Sequence, residues 1–259
     1  MPRKKPQFYA IYQLKIIFFS IIINTAFFEK ILIKKECVFL GGKTVFVMDN
    51  ITRRQNEMAY IADEACHAQG IENLKLTYEF NNAKPWESEN MSRLIDLILG
   101  SHGKNTTILP PFHCDYGKNI EVGDNFFANY NLTVLDVAKV TIGDNVFIAP
   151  NVSIYTAGHP VHYEARNTMY EYGISITIGD NCWIGGNTVI CPGVKVGNGV
   201  VIGAGSVVTK DIPDNVIAAG NPCRVIRPIT DEDKQFYFKN RKFDDEAMEA
   251  VNEYGKNKK

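Results

Sequence analysis

The chain has 259 residues, with 28 basic and 29 acidic side chains and a formal charge of −1 at pH 7. Its 45 % hydrophobic and 22 % charged residues are typical of a soluble globular protein, which excludes collagen-like, disordered and polytopic membrane classes. Because proteins that bind nucleic acid usually carry a basic face, the balanced charge predicts no nucleic-acid partner. The length allows one large domain with a small appendage.

The first 47 residues differ in character from the rest of the chain. The apolar stretch Phe8–Phe28 is about long enough to span a bilayer, but Lys15 interrupts it, and a lysine at mid-membrane would cost about 3 kcal/mol. Three interpretations stay open: a membrane anchor, an uncleaved targeting segment, or a non-native upstream extension with translation starting at Met48 or Met58. We favour the extension, because the sequence after Met48 has the features of a complete soluble protein. A membrane partner is expected only if the extension is native.

The chain contains six cysteines, none of them in a CxxC pair: Cys37, Cys66, Cys114, Cys182, Cys191 and Cys223. This pattern predicts free thiols in a reducing compartment, and therefore a cytoplasmic location. A zinc site would need clustered ligands, and the sequence offers none, so we expect no metal.

Residues 48–106 are predicted to form a small helical cap. Apolar residues recur at helical spacing in two stretches: Ile71, Leu74 and Tyr78 in the first, and Met91, Leu94, Ile95 and Ile98 in the second. Breaks are expected at Gly70 and at Lys84-Pro85, which would give three short helices. Such a cap is too small to bury a core alone, so we expect it to pack on a larger body.

An apolar residue recurs every six residues through much of the remaining chain: Ile142, Ile148 and Ile154, then Ile178, Ile184, Ile190, Val196, Ile202 and Val208, after a weaker run of Val122, Ala128 and Val134. A six-residue period is typical of a β-solenoid in which three hexapeptides form one triangular coil. Glycine or asparagine suits the strained corners. We therefore predict a mostly β fold, with a left-handed parallel β-helix over residues 107–229 and a short helical tail over residues 230–259.

The repeat is interrupted once, between Ile154 and Ile178, which predicts an excursion loop over residues 158–177. Loops expelled from a rigid scaffold often carry function. His159, between Gly158 and Pro160, is held by a stiff backbone at the start of this loop. It is a candidate general base if a substrate hydroxyl lies within hydrogen-bond reach; the alternative is an ordinary surface histidine.

Four motifs in the solenoid resemble the hexapeptide-repeat acetyltransferases, specifically the maltose and galactoside O-acetyltransferase group. They are PFHCDYGKNIEVGDNFFANYN (111–131), IGDNVFIAPNVSIYTAGHPVHYEARN (142–167), IGDNCWIGGNTVICPGVKVGNGVVIGAGSVVTKDIP (178–213) and AAGNPCRVIR (218–227). The cap, with YEFN at 78–81, is also similar to that group, so the resemblance covers residues from about 52 to 240.

The resemblance implies direct acetyl transfer from acetyl-CoA, a co-substrate, to a sugar hydroxyl, in a homotrimer with its sites between subunits and no metal. His159 would be the general base, and Asn129 would support the transition state from the acceptor side. Contacts to the sugar would come from Asp115, Asp63, Asn129 and Met169. Contacts to acetyl-CoA would come from Trp183, Gly186, Ala204, Thr209, Lys210, Arg224 and Arg227, the arginines suiting its phosphates.

The acceptor and the chemistry leave alternatives open. Asp115 in CDYG resembles the maltose branch and GHPVH at 158–162 the galactoside branch, so maltose, glucose or a galactoside is expected. The same scaffold could instead acylate serine, an antibiotic or an amino sugar. A γ-carbonic anhydrase would need three converging histidines, whereas the solenoid has only His113, His159 and His162. A non-catalytic scaffold would need neither His159 nor the arginines of NPCRVIR.

Overall fold

The computed structural model describes residues 35–40 and 43–256, so the stretch Phe8–Phe28 lies outside the described residues and its interpretations stay untested. The chain divides into two compact units, Met1–Thr52 and Arg53–Lys259. The described part of the first unit contains an antiparallel hairpin of β1 (Lys35–Leu40) and β2 (Lys43–Met48), which the sequence did not predict. Within the described ranges, no helix has the length and apolar character needed to cross a membrane.

The cap contains helices α1 (Asn50–Gln55), α2 (Glu64–Asn82) and α3 (Ser88–Ile98) and the short strand β3 (Tyr60–Ile61). The apolar stripe predicted on α3 is confirmed, because Met91, Leu94, Ile95 and Ile98 are all buried. The predicted break at Gly70 is wrong, since that glycine lies inside the single helix α2. One glycine costs a helix only about 1 kcal/mol, which packing along the rest of α2 can offset.

Helix α2 does not bury the stripe that its apolar residues suggest. Ile71, Leu74 and Tyr78 are exposed, and the buried face contains Cys66, Asn73, Thr77 and Phe80. Polar residues are buried there because they find partners. The Asn73 side-chain amide donates to the Cys114 carbonyl at 2.8 Å, and the Thr77 hydroxyl donates to the Asn73 carbonyl at 3.1 Å.

A three-sided solenoid of parallel strands follows the cap, as predicted. The first sheet contains β4 (Ser101–His102), β7 (Ile120–Val122), β10 (Val140–Ile142), β15 (Ile176–Ile178) and β18 (Lys195–Val196). The second contains β5 (Thr107–Ile108), β8 (Phe127–Ala128), β11 (Phe147–Ile148), β16 (Trp183–Ile184), β19 (Val201–Ile202) and β21 (Val216–Ala219), with β22 (Arg224–Pro228) antiparallel at its edge. The third contains β6 (Phe112–Cys114), β9 (Leu132–Leu135), β12 (Ser153–Tyr155), β17 (Val189–Ile190) and β20 (Val207–Val208).

The six-residue repeat forms the core of the solenoid. Every residue of the predicted run from Ile142 to Val208 is buried, as are Val122, Ala128 and Val134. Each coil contributes one such side chain per sheet, and parallel pairing stacks Ile148 on Ile184 and Ile184 on Ile202. Burying a side chain of this size contributes about 1.5–3 kcal/mol, so the stacked rows supply most of the favourable free energy of the coil.

The corners of the coil explain the Gly-Asp-Asn motifs. The corner between the first and second sheets, the first corner, places Asn125, Asn145 and Asn181 at positive φ. The preceding aspartates link the coils, since Asp144 accepts the Asp124 N–H at 2.7 Å and Asp180 accepts the Asp144 N–H at 2.8 Å. Asparagine tolerates the left-handed region, which most side chains avoid.

The excursion loop leaves the solenoid after β12 and folds back on the cap. It contains β13 (Ala157–Gly158), α4 (Tyr163–Arg166) and β14 (Tyr170–Gly173). Strand β14 pairs antiparallel with β13 on one side and with β3 of the cap on the other. In that register Glu171 lies opposite Tyr60. The cap and the loop therefore form one small sheet beside the solenoid.

The tail ends in a helix, as predicted, and also contains a hairpin that the sequence did not predict. A 3-10 helix (Asp231–Gln235) leads into a hairpin of β23 (Phe236–Phe238) and β24 (Arg241–Lys242), and α5 (Asp245–Lys256) follows. Aromatic residues at Phe236, Tyr237 and Phe238 favour strand over helix, which accounts for the hairpin.

Candidate active site

Functional candidates gather at the third corner, where strands of the third sheet end and the chain turns to the next coil. Asp115 follows β6, Asp136 follows β9, and His159 follows β12 and β13. These positions belong to three successive coils, because β6, β9 and β12 are adjacent in the sheet. The solenoid thus brings together side chains that are far apart in the sequence.

His159 faces a carboxylate. Its Nε2 atom lies 3.9 Å from Oε2 of Glu171, with the histidine side chain 57 % exposed and the glutamate 22 % exposed. The pairing of β13 with β14 sets this approach, since Gly158 lies opposite Tyr172, the residue after Glu171. The two side chains are therefore within ion-pair distance of each other. Glu171 was not predicted from the sequence, because the contact depends on strand pairing within the loop.

Two further carboxylates lie at this corner. Asp136 is fully buried, and its Oδ1 accepts the backbone N–H groups of Asp115 and Tyr116, each at 2.9 Å. Burial raises the pKa of Asp136, whereas those N–H donors lower it. Burial also raises the pKa of Asp115, to about 6, and the nearby charges of Asp136 and Glu171 add to the shift. Such a displaced pKa in a cluster of carboxylates is typical of functional sites.

Asp63 and Met169, the other predicted sugar contacts, lie in the cap and the loop. Asp63 is the N-cap of α2 and accepts the Cys66 N–H at 3.1 Å, so it has a structural role there. Met169 is 71 % exposed at the turn between α4 and β14, with φ of 67°. A positive φ is uncommon for methionine and is a form of backbone strain often found at functional sites.

The predicted transition-state and acetyl contacts lie at the second corner, between the second and third sheets. Asn129 follows β8 and Gly186 follows β16, with the Ala149–Pro150 turn of the intervening coil between them. Asn129 accepts the Tyr130 N–H at 2.8 Å through Oδ1. The Gly185 N–H donates to the Ile202 carbonyl, and the Gly205 N–H donates to the Gly186 carbonyl, each at 2.8 Å. These two hydrogen bonds fix the turn at Gly186 against the corresponding turn of the next coil, which contains Ala204.

Within one chain, the second and third corners are at opposite ends of the third sheet. Asn129 precedes β9 and His159 follows β12, which pairs with β9. At about 3.3 Å per residue, the four residues of β9 separate the corners by roughly 10 Å or more. A single chain therefore does not bring Asn129 and His159 together.

The predicted acetyl-CoA contacts are distributed along the outer surface. Trp183 on β16 is 55 % exposed, and Thr209 and Lys210 are exposed after β20. Arg224 and Arg227 lie on β22. Arg227 donates to both oxygens of Asp233, at 2.7 and 2.8 Å, and this bidentate pair lowers the pKa of the Asp233 carboxyl. Arg227 thus ties the tail to the solenoid, a role that the sequence did not suggest.

Among the residues that the structure describes, no group of three or more histidine, cysteine, aspartate or glutamate side chains is arranged to hold a metal ion. The thiols of five cysteines are free: Cys66, Cys114, Cys182, Cys191 and Cys223.

Known proteins resemble this chain in both fold and sequence. The bacterial transferase hexapeptide family (six repeats) matches residues 175–210. Galactoside O-acetyltransferase of Escherichia coli K12 is 55 % identical over 167 residues, which are 64 % of this chain and 82 % of that protein. A solved galactoside acetyltransferase in complex with coenzyme A matches with a TM-score of 0.74 and 48 % identity, covering 76 % of this chain and 100 % of the other. A maltose O-acetyltransferase from Clostridium difficile 630 matches with a TM-score of 0.70 and 49 % identity, covering 71 % and 99 %.

The solenoid, its single excursion loop and these likenesses define a hexapeptide-repeat acetyltransferase. More narrowly, the chain belongs to the O-acetyltransferase family that includes the galactoside and maltose enzymes. The resemblance predicted from the four motifs is confirmed.

Proposed function

We propose that this chain transfers an acetyl group from acetyl-CoA to a hydroxyl group of a sugar such as maltose, glucose or a galactoside, with His159 as general base. The observation that carries the proposal is the approach of the Glu171 carboxylate to His159 at 3.9 Å, beside Asp115. The family supports the reaction class, and a related structure contains coenzyme A.

The proposed reaction is a direct transfer. The His159 imidazole takes the proton of the acceptor hydroxyl as its oxygen attacks the thioester carbonyl carbon. The carbonyl oxygen becomes an oxyanion, stabilised by the Gly186 N–H and from the acceptor side by Asn129. Collapse breaks the carbon–sulfur bond, and the thiolate of coenzyme A recovers a proton from the imidazolium. Glu171 favours the charged imidazolium formed between these steps.

The proposed site lies between subunits of a homotrimer. The separation of Asn129 from His159 along the third sheet supports this, because a second copy could place its second corner against the third corner of the first. In a closed ring every subunit would supply its second corner to one neighbour and its third corner to the other. Acetyl-CoA would contact Trp183, Gly186, Ala204, Thr209, Lys210 and Arg224. Arg227 would bind a phosphate of acetyl-CoA only if it left Asp233 or shared its N–H donors between the phosphate and Asp233.

We also propose that Asp63, Asp115 and Met169 contact the sugar, that no metal takes part and that the enzyme is cytoplasmic. We assign residues 48–106 to the cap, except that β4 (Ser101–His102) pairs in the first sheet of the solenoid. Residues 107–229 form the rest of the solenoid and residues 230–259 the tail, with 1–47 as an extension. Asp115, once ionised, would accept a hydrogen bond from an acceptor hydroxyl.

The decisive experiment measures release of coenzyme A from acetyl-CoA with a panel of mono- and disaccharides. We expect His159→Ala to lower kcat by about 10²-fold or more, the contribution usual for a general base. His162→Ala, in the same loop, is the matched control and should leave kcat within about twofold, since its ring stacks on Tyr163 and its side chain is 66 % exposed. An unchanged rate in His159→Ala would overturn the mechanism, and no transfer to any sugar would overturn the acceptor class.

A further inference from the structure

The cap contains a buried arginine that the proposed reaction does not use. Arg54 on α1 is 3 % exposed. Its Nη2 donates to Oε1 of Gln69 on α2 at 2.8 Å, and its guanidinium carbon lies 3.7 Å from the centre of the Tyr116 ring. Its Nε and Nη1 atoms are buried without a hydrogen-bond partner among the described residues.

This arrangement is a poor way to stabilise a fold. Each buried donor without a partner costs about 1–3 kcal/mol, whereas a desolvated cation–π contact contributes about 2 kcal/mol. Buried charges can often be replaced by apolar groups of similar volume without loss of stability. We therefore look for the role of Arg54 in two effects on the neighbouring side chains: the electrostatic effect of its charge and the contact made by its planar guanidinium.

Those neighbours are the acceptor side of the site. Tyr116 follows Asp115 directly in the turn after β6, and Arg54 is positioned to lower the pKa of Asp115, Tyr116, Tyr60 and Cys66 against the larger effect of burial. The negative charges that act on these groups come from Asp63, Asp115, Asp136 and Glu171, on four different segments. Among the described residues, Arg54 is the only cation that acts on Asp115 there.

We propose that Arg54 is a positioning and specificity-determining residue of the acceptor site: its face holds the Tyr116 ring, and its charge offsets the surrounding carboxylates. The proposal rests on the proposed function and deepens it. A site with several uncompensated carboxylates would attract a cationic amine. Arg54 offsets part of that charge, which shifts the preference of the site toward a neutral polyol, whose hydroxyl groups both donate and accept hydrogen bonds. Arg54 therefore increases the discrimination of the site against an amino sugar.

The test compares glucose with 2-amino-2-deoxyglucose in its ammonium form, on wild type, Arg54→Met and Arg54→Lys. We expect Arg54→Met to fold with unchanged or higher thermal stability and to shift the ratio of kcat/KM toward the ammonium sugar by about tenfold. Arg54→Lys keeps the charge, so it should keep the wild-type ratio while KM rises for both sugars, because lysine lacks the planar face. Arg93→Met, an exposed arginine paired with Glu79, is the control.

A second readout does not need activity. The Asp115 carboxyl, followed by carbon-13 NMR and assigned with Asp115→Asn, should titrate at higher pH in Arg54→Met than in wild type. An unchanged sugar ratio together with an unchanged Asp115 titration would overturn the role of Arg54. If wild type transfers acetyl to neither sugar, the proposed function fails, and the titration alone then decides whether Arg54 offsets the carboxylates.

Discussion

At the residue scale, the pKa of Asp115 couples stability to pH. Because this pKa is raised to about 6, the folded chain keeps a proton that the unfolded chain has already lost above about pH 4. Stability therefore falls as the pH rises from about 4 to 6, and the full penalty remains above that range. A carboxylate held in this state is expected where function, rather than stability, requires it.

We expect Asp115→Asn to unfold at higher urea concentration than wild type at pH 7.5, by about 1–3 kcal/mol in the free energy of unfolding. At pH 4 most of this gain should disappear, because the folded carboxyl is then protonated and about half of the unfolded carboxyls are protonated as well. Glu253→Gln, an exposed carboxylate on α5, is the control and should show no such pH dependence. A gain that is the same at both pH values would show that charge is not its cause.

At the element scale, the glycine that precedes each corner aspartate determines how closely the coils stack. A Cβ atom on Gly143 would overlap Oδ1 of Asp180, the same oxygen that accepts the Asp144 N–H from the coil below. The hydrogen bonds of the corner aspartates and the glycines that leave room for them therefore act together. These contacts hold the coil before the excursion loop in register with the coil after it.

We expect Gly143→Ala to lower the free energy of unfolding by about 2–3 kcal/mol, since an overpacked site must push backbone apart. Gly255→Ala on α5 is the matched control: nothing lies within 4 Å of its added Cβ, and alanine favours helix, so stability should stay the same or rise. Urea midpoints of both variants provide the measurement. The double variant Gly143→Ala with Asp180→Ala should lose less free energy of unfolding than the sum of the losses in the two single variants. Additive losses would argue against the clash.

At the scale of the whole molecule, the proposed site requires two copies of the chain. The second corner carries Asn129 and the third carries His159, with the width of the third sheet between them. Two variants that are each substituted at a different corner should therefore restore activity to each other in a mixed trimer. They could not do so if one chain supplied both residues of each site.

We expect His159→Ala and Asn129→Ala, each strongly impaired alone, to regain activity when they are unfolded together and refolded as mixed trimers. Random assembly restores about one quarter of the sites, because one interface in four on average joins an intact second corner to an intact third corner. Mixing the folded variants without subunit exchange is the control and should restore nothing. If the refolded mixture forms trimers but regains no activity, then His159 and Asn129 of one site come from the same chain.

The sequence alone determined the solenoid. Rows of aliphatic residues six apart can be buried on one side of the chain only in a coil of three hexapeptides, and Gly-Asp-Asn steps tolerate its corners. The motifs also indicated the family and His159. Local patterns decide these features, since each hexapeptide repeats the same environment.

Only the tertiary structure decided which distant groups meet. Glu171 reaches His159 because β14 pairs with β13, and Tyr60 reaches Glu171 because β3 joins the same sheet. Arg54 lies under Tyr116 through packing of the cap, and α2 buries Asn73 rather than Leu74 because Asn73 finds the Cys114 carbonyl. Burial and charge proximity depend on contacts across long stretches of sequence, so no local pattern could show that Asp115 holds its proton to about pH 6.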